Sequence, residues 1–282
     1  MSERDFQVMG VVNVTPDSFS DGGLFLDASA AVQHGLELAA EGASILDIGG
    51  ESTRPGAEPV SGEEELRRVL PVIEGLVSPG AGSRISIDTS KAEVASAAIA
   101  AGATLVNDVT ALRGDPSMAD VVARADVDCC LMHMLGEPRT MQEDPRYDDV
   151  TDQVKAFLEE RLAFAVAAGI AEDRVLLDPG IGFGKTAAHN LELLRRLDEL
   201  VAIGRPIVIG TSRKSFLGRI TGRDDPAQRL PGTIATNVIA YERGARVFRV
   251  HDVAPVYDAL LVAAATVRAR WKPTTPTTNT KT

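Results

Sequence analysis

Eight times along this chain a short apolar run gives way to a longer run rich in Ala, Leu and Glu. The short runs fall at 8–14, 45–48, 85–88, 105–109, 129–132, 175–177, 207–209 and 247–250. The longer ones predict helices over 28–41, 63–76, 92 to about 102, 118–125, 150–168, 188–201, 233–243 (after a long loop) and 256–270. The short runs are almost continuously apolar, so both faces of each strand are buried, as in a parallel sheet. Three helices run out at Gly42, Gly102 and Gly169, which suit the left-handed backbone that stops a helix. Strict alternation gives a parallel α/β fold. Eight near-equal units favour a closed (β/α)8 TIM barrel over an open doubly wound sheet. A chain of 282 residues fits one such domain, expected over 1–271. The tail 272–282 is mostly Thr, Pro, Asn and Lys and is expected to be disordered.

Composition narrows the partners. The net charge is −11, which argues against nucleic acid or an anionic membrane as partner. An anionic substrate must therefore be met by a few local cations. The adjacent Cys129 and Cys130 point to opposite faces of one strand, so no disulfide between them is expected. There is no metal-ligand cysteine spacing, no signal-peptide core and no apolar run of about 18 residues. These features predict a reduced, cytoplasmic protein.

Polar residues gather where each strand stops: Asn13, the 49–56 run with Thr53, Arg54 and Pro55, Asp88, Asn107, Met132-His133, Asp178, Ser212-Arg213-Lys214 and Arg249-Val250-His251. In a barrel these ends converge on one mouth. For any one of them a structural role is the plainer reading: Asp88 as a helix cap, Asp178 as the start of a turn with Pro179. Glu63, Glu64 and Glu65 read as a solvated helix start. Recurrence at all eight ends is what capping does not explain. The run Gly182-Phe183-Gly184-Lys185-Thr186 mimics a phosphate-binding P-loop, but the required first glycine is Pro179, so the spacing excludes an ATP site.

The chemistry of the mouth is a balance of carboxylates and cations. Asp88 and Asp178, with Asn107, match the N–H/NH₂ edge of a flat nitrogen heterocycle, for the reason a carboxylate matches a guanidinium. Arg54, Lys214, Arg249 and His251 form a cationic set suited to a phosphate or pyrophosphate. Asn13 offers an oxygen to a hard cation such as Mg²⁺, which binds phosphates with few protein ligands.

The order of these motifs identifies a resemblance. Asn13-Val14-Thr15-Pro16-Asp17-Ser18-Phe19-Ser20-Asp21-Gly22-Gly23, Gly49-Gly50-Glu51-Ser52-Thr53-Arg54-Pro55-Gly56, Asp178-Pro179-Gly180-Ile181-Gly182-Phe183, Ser212-Arg213-Lys214 and Arg249-Val250-His251-Asp252 resemble the bacterial dihydropteroate synthases of the pterin-binding barrel family, over residues 8–253. That family joins 4-aminobenzoate to a 6-hydroxymethyl-dihydropterin diphosphate in folate synthesis and is the target of sulfonamides. The resemblance implies that Asp88, Asn107, Met132, Asp178 and Lys214 hold the pterin. It implies that Asn13 binds Mg²⁺, and that Asn13, Thr53, Arg54, Arg249 and His251 hold the diphosphate. Phe19, Thr53, Pro55, Phe183 and Ser212 would line the aminobenzoate pocket, and Asp21, Asp88 and Lys214 would serve the SN1-like chemistry. A homodimer is expected by the same analogy. Two alternatives remain: methyl transfer from a folate to a corrinoid on a related barrel, and a barrel that binds pterin without turnover.

Overall fold

The structure is a computed structural model and describes residues 5–14, 24–52, 57–77, 82–137 and 140–268. Its strands are β1 (Gln7–Asn13), β2 (Ile45–Gly49), β3 (Arg84–Asp88), β4 (Leu105–Asp108), β5 (Asp128–Met132), β6 (Val175–Asp178), β7 (Val208–Ile209) and β8 (Val247–Val250). They form one parallel sheet in the order β6-β5-β4-β3-β2-β1-β8-β7. The ring closes between β6 and β7, where Leu177 bridges Ile207 and its amide donates to Pro206 O at 3.0 Å. The chain is thus a single-domain (β/α)8 barrel.

The helices are α1 (Leu24–Ala40), α2 (Gly62–Val77), α3 (Ala92–Ala100), α4 (Met118–Ala125), α5 (Val150–Ala167), α6 (Ala187–Arg195), α7 (Leu197–Val201), α8 (Ser215–Thr221), α9 (Leu230–Glu242) and α10 (Val253–Arg268). Two expectations are corrected. The helix predicted over 188–201 breaks at Arg196 (φ −107°, ψ 27°), whose guanidinium reaches Asp149, Asp152 and Glu199. The long loop before residue 233 contains α8 and a 3₁₀ turn, Pro226–Arg229. The predicted glycine stops hold: φ is +112° at Gly42, +116° at Gly102 and +95° at Gly169.

Alternation along the strands divides the apolar residues into two bodies. One face of each strand packs under the helices, through Val8, Val12, Leu46, Ile48, Ile87, Val106, Leu131, Leu177, Ile209 and Phe248. The other face fills the ring with Met9, Ile45, Leu105, Cys130, Leu176, Val208 and Val247. The barrel is therefore a packed core and not a pore. Cys129 lies in the outer body and Cys130 in the inner one, both free and buried. Among the described residues no helix is long and apolar enough to cross a membrane.

Candidate active site

The inner face of the barrel changes character over one strand repeat. Two residues beyond the apolar plug, toward the C-terminal ends, Ile45 is succeeded by Asp47, Leu105 by Asn107, Leu176 by Asp178 and Val247 by Arg249. A period of two keeps each pair on one face, so the polar layer rests on the plug. Its centre is Asp47, fully buried. Oδ1 accepts from Ser86 Oγ at 2.6 Å. Oδ2 accepts from Asn107 Nδ2 at 3.1 Å and from Arg249 Nε at 2.6 Å. Arg249 also donates through Nη2 to Asp88 Oδ2 at 2.7 Å. Burial pushes the Asp88 carboxyl up to about 7, although Arg249 pulls it down. Asp88 is therefore no helix cap; the N-cap of α3 is Lys91.

Strand register sets the remaining neighbours. Gly49, Asp88 and Asn107 stand side by side on β2, β3 and β4, with Asn13 beside Gly49 on β1. Met132 and Asp178 are partners on β5 and β6. Asp178 Oδ1 accepts from the Gly180 amide at 2.6 Å, so this residue does start a turn as well as face the mouth. Burial raises its carboxyl to about 6, against the pull of that amide and of Lys214, Arg249 and Lys185. Met132 packs with Val109, Met134 and Met141, and Phe183 lies against them. Lys214 Nζ sits 4.0 Å over the Phe183 ring. Ser212 Oγ accepts from the His251 amide at 3.1 Å and lies 3.0 Å from His251 Nδ1. The mouth thus offers a carboxylate–amide edge, an apolar and aromatic wall and two cations, which fits a flat polar ring joined to an anion.

A family model described as pterin binding enzyme matches residues 9–251. The chain belongs to the pterin-binding enzyme family. It is 46% identical over 263 residues to the dihydropteroate synthase of Escherichia coli K12, covering 93% of this chain and 92% of that one. The dihydropteroate synthase of Xanthomonas albilineans solved with 4-aminobenzoic acid matches it with TM-score 0.88 at 53% identity, covering 94% of this chain and 93% of that one. The same protein in complex with 7,8-dihydropteroate matches with TM-score 0.84 at 51% identity, covering 94% of each chain.

Within this pterin-binding enzyme the barrel brings together Asn13, Asp88, Asn107, Met132, Asp178, Phe183, Ser212, Lys214, Arg249 and His251. Phe19, Asp21, Thr53, Arg54 and Pro55 lie outside the described residues. One member departs from the expected charge pattern: burial and the neighbouring Arg249 and Arg213 push the His251 imidazole down to about 3, so it is a neutral hydrogen-bonding group at pH 7 and not a cation. Three polar residues escaped the sequence reading. Asp47 was signalled only by a lone charge inside an apolar strand. Lys185, the lysine of the rejected P-loop, is buried with Nζ 2.8 Å from His133 Nδ1. Glu65, expected in solvent, is fully buried; it pairs with Lys91 Nζ at 2.5 Å, and so does the half-buried Glu51. Glu51 Oε1 also accepts from the Val60 amide at 3.0 Å, so this cluster ties the end of β2 to the approach to α2.

Proposed function

We propose that this enzyme condenses 6-hydroxymethyl-7,8-dihydropterin diphosphate with 4-aminobenzoate, giving 7,8-dihydropteroate and pyrophosphate. The observation that carries the reading is the convergence of Asp88, Asn107 and Asp178 on one edge with Met132, Phe183 and Lys214 beside it. Relatives named dihydropteroate synthase, one of them solved with dihydropteroate, support it. The carboxylates and Asn107 take the N–H/NH₂ edge of the pterin. Arg249, already oriented by Asp47 and Asp88, presents its charge without reorganisation. Neutral His251, with its amide held by Ser212, donates its ring N–H to an anion oxygen.

The bond between the pterin methylene and the diphosphate oxygen breaks, and its electron pair leaves with the diphosphate. The positive charge left on the methylene is spread over the pterin ring and stabilised by Asp88 and Asp21. The aminobenzoate nitrogen then forms the new bond and gives up a proton. No enzyme nucleophile is required, and burial keeps the Cys129 thiol protonated by raising it to about 12.

Mg²⁺ belongs to this reading as a cofactor. Among the described residues no group of three His, Cys, Asp or Glu could hold a metal, which fits an ion carried mainly by the substrate's phosphates. Asn13, half-buried on the row of Gly49 and Asp88, supplies one hard oxygen. When bound, the ion would neutralise charge on the leaving group. Thr53 and Arg54 would join the diphosphate site, and Phe19, Thr53, Pro55, Phe183 and Ser212 would line the aminobenzoate pocket. A homodimer working in the cytoplasm completes the proposal. Mixing the protein with both substrates and Mg²⁺ should yield dihydropteroate and pyrophosphate in equal amounts. Binding without turnover, or product from a folate methyl donor and a corrinoid instead, would overturn it.

A further inference from the structure

The segment from Pro179 to Thr186, between β6 and α6, has an unusual backbone. Gly180, Gly182 and Gly184 all have positive φ, at +66°, +83° and +62°. It is also threaded tightly: a Cβ at Gly180 would lie 1.9 Å from His133 O, and one at Gly184 would lie 2.5 Å from Leu135 O. Three consecutive carbonyls at its centre are fastened by three side chains. Gly182 O accepts from Gln142 Nε2 at 2.5 Å. Phe183 O accepts from Lys185 Nζ at 3.0 Å. Gly184 O accepts from Tyr147 Oη at 2.8 Å. The Gly182 amide is held in turn by Asn190 Oδ1 at 2.8 Å.

Of the three side chains that hold these carbonyls, Lys185 is the buried one, 2% exposed. Its ammonium lies 2.8 Å from His133 Nδ1 and 3.4 Å from His133 O, so it ties the 182–184 turn to the end of β5. The His133 ring is braced edge-on by Phe157, with centroids 4.8 Å apart. Burial pushes the Lys185 amine down to about 7, with the nearby Asp178 carboxylate pulling it up; the geometric result of its three bonds is a fixed turn. That turn presents the Phe183 ring beside Met132, Met134 and Met141. It also seats Lys214, whose Cδ would lie 3.0 Å from a Cβ at Gly182 and whose Nζ lies over the Phe183 ring.

We propose that Lys185, with Gln142 and Tyr147, is a positioning residue that preorganises the 182–184 turn as the wall against which the aromatic second substrate is held. None of the three acts on the reacting atoms. The inference rests on the dihydropteroate reading, because there the pterin edge is met by strand-end residues while Phe183 faces the aminobenzoate. Loosening the turn therefore costs the second substrate more than the first.

The test is steady-state kinetics of Lys185→Met, Gln142→Ala and Tyr147→Phe, with aminobenzoate varied at saturating pterin diphosphate and pterin affinity measured by calorimetry. The KM for aminobenzoate should rise about tenfold in Lys185→Met and about threefold in the other two, with kcat kept within about twofold. Pterin affinity, which the turn touches only through Lys214, should fall by a smaller factor than the aminobenzoate KM rises in each variant. Gln142 is exposed, and Tyr147→Phe removes one oxygen, so these two decide the matter even if Lys185→Met does not fold. An unchanged aminobenzoate KM in both would overturn the proposal. So would parallel losses of kcat and pterin affinity. An unmodified protein that makes no dihydropteroate would refute the functional reading instead, a result separable from either of these.

Discussion

Buried to 6% exposure with Oδ1 on the Gly180 amide, Asp178 is held near 6 because desolvation outweighs the cations around it. A carboxyl raised above its ordinary value of about 4 binds its proton more tightly folded than unfolded. Stability therefore falls as pH rises from about 4 through about 6, and the cost persists above that window. Two pK units set an upper bound of roughly 3 kcal/mol on that cost. Asp178→Asn should then stabilise the unliganded protein at pH 8 by about 1–3 kcal/mol, with the gain fading as pH is lowered toward 4. The same change should abolish pterin binding, because the amide replaces one acceptor oxygen with an NH₂ group that sets donor against donor at the ring edge. Urea melts at both pH values and calorimetry check this, and a variant no more stable at pH 8 contradicts it. In the unmodified enzyme, pterin affinity should weaken as pH drops below about 6, since the protonated carboxyl loses its charge-assisted bonds. Asp47 makes a different case, because its charge is fully paired. Removing one partner from a buried pair typically costs about 3–5 kcal/mol, so Asp47→Ala should lose that much in urea unfolding and leave Arg249 with Asp88 alone. The importance of Asp47 was not legible in the sequence for a physical reason: Arg249 is 202 residues away, and only ring closure brings it within 2.6 Å.

At the level of elements, strands were legible almost to the residue, because a buried parallel strand needs an unbroken apolar run and little else. β8 lies at 247–250 as expected, and β4 ends one residue early, at Asp108. What failed was local and depended on distant partners: Arg196 interrupts a helical run through bonds to Asp149 and Asp152, and α8 sits inside a segment with weak apolar periodicity. The site showed the same division. Polar residues at or near the end of an apolar run, such as Asp88, Asn107 and Lys214, were visible from their position. Lys185, read only as a failed phosphate motif, required the packing of 182–184 against β5 to acquire a role. The glycines offer a test of how connecting segments at the two ends of the barrel differ. Gly204 precedes β7 with φ +91° and nothing within 4 Å of its missing Cβ, whereas a Cβ at Gly180 would collide with His133 O. Gly204→Ala should cost about 1 kcal/mol, the left-handed penalty alone, and leave turnover intact. Gly180→Ala should lose more than about 3 kcal/mol and most activity, because the backbone under Asp178 must move. Thermal melts with product assays on both variants measure the difference, and equal losses would remove the distinction between a stop glycine and a site glycine.

For the whole molecule, the acidic charge and the distribution of exposed apolar residues bear on assembly. Two copies at −11 each repel at long range, so a homodimer must be held by contact. Large apolar side chains left exposed include Ile220 on α8, Ile239 on α9, and Leu261, Val262 and Val267 on α10, with Val262 at 68% and Ile220 at 56%. α9 and α10 follow β7 and β8 as outer helices of the barrel, whereas α8 begins at the mouth with Lys214 as its N-cap. A dimer built on α9 and α10 would therefore leave each mouth complete. On the proposed homodimer, sedimentation velocity should give twice the chain mass. Raising ionic strength toward about 0.5 M should tighten association by shortening the range of repulsion. Val262→Asp should shift the protein toward monomer, while the turnover of each chain stays close to that of the dimer. A single species of one chain mass at every concentration and salt would rule out the homodimer. Association that weakens with salt would mean instead that paired charges hold it, and would move the interface away from α9 and α10.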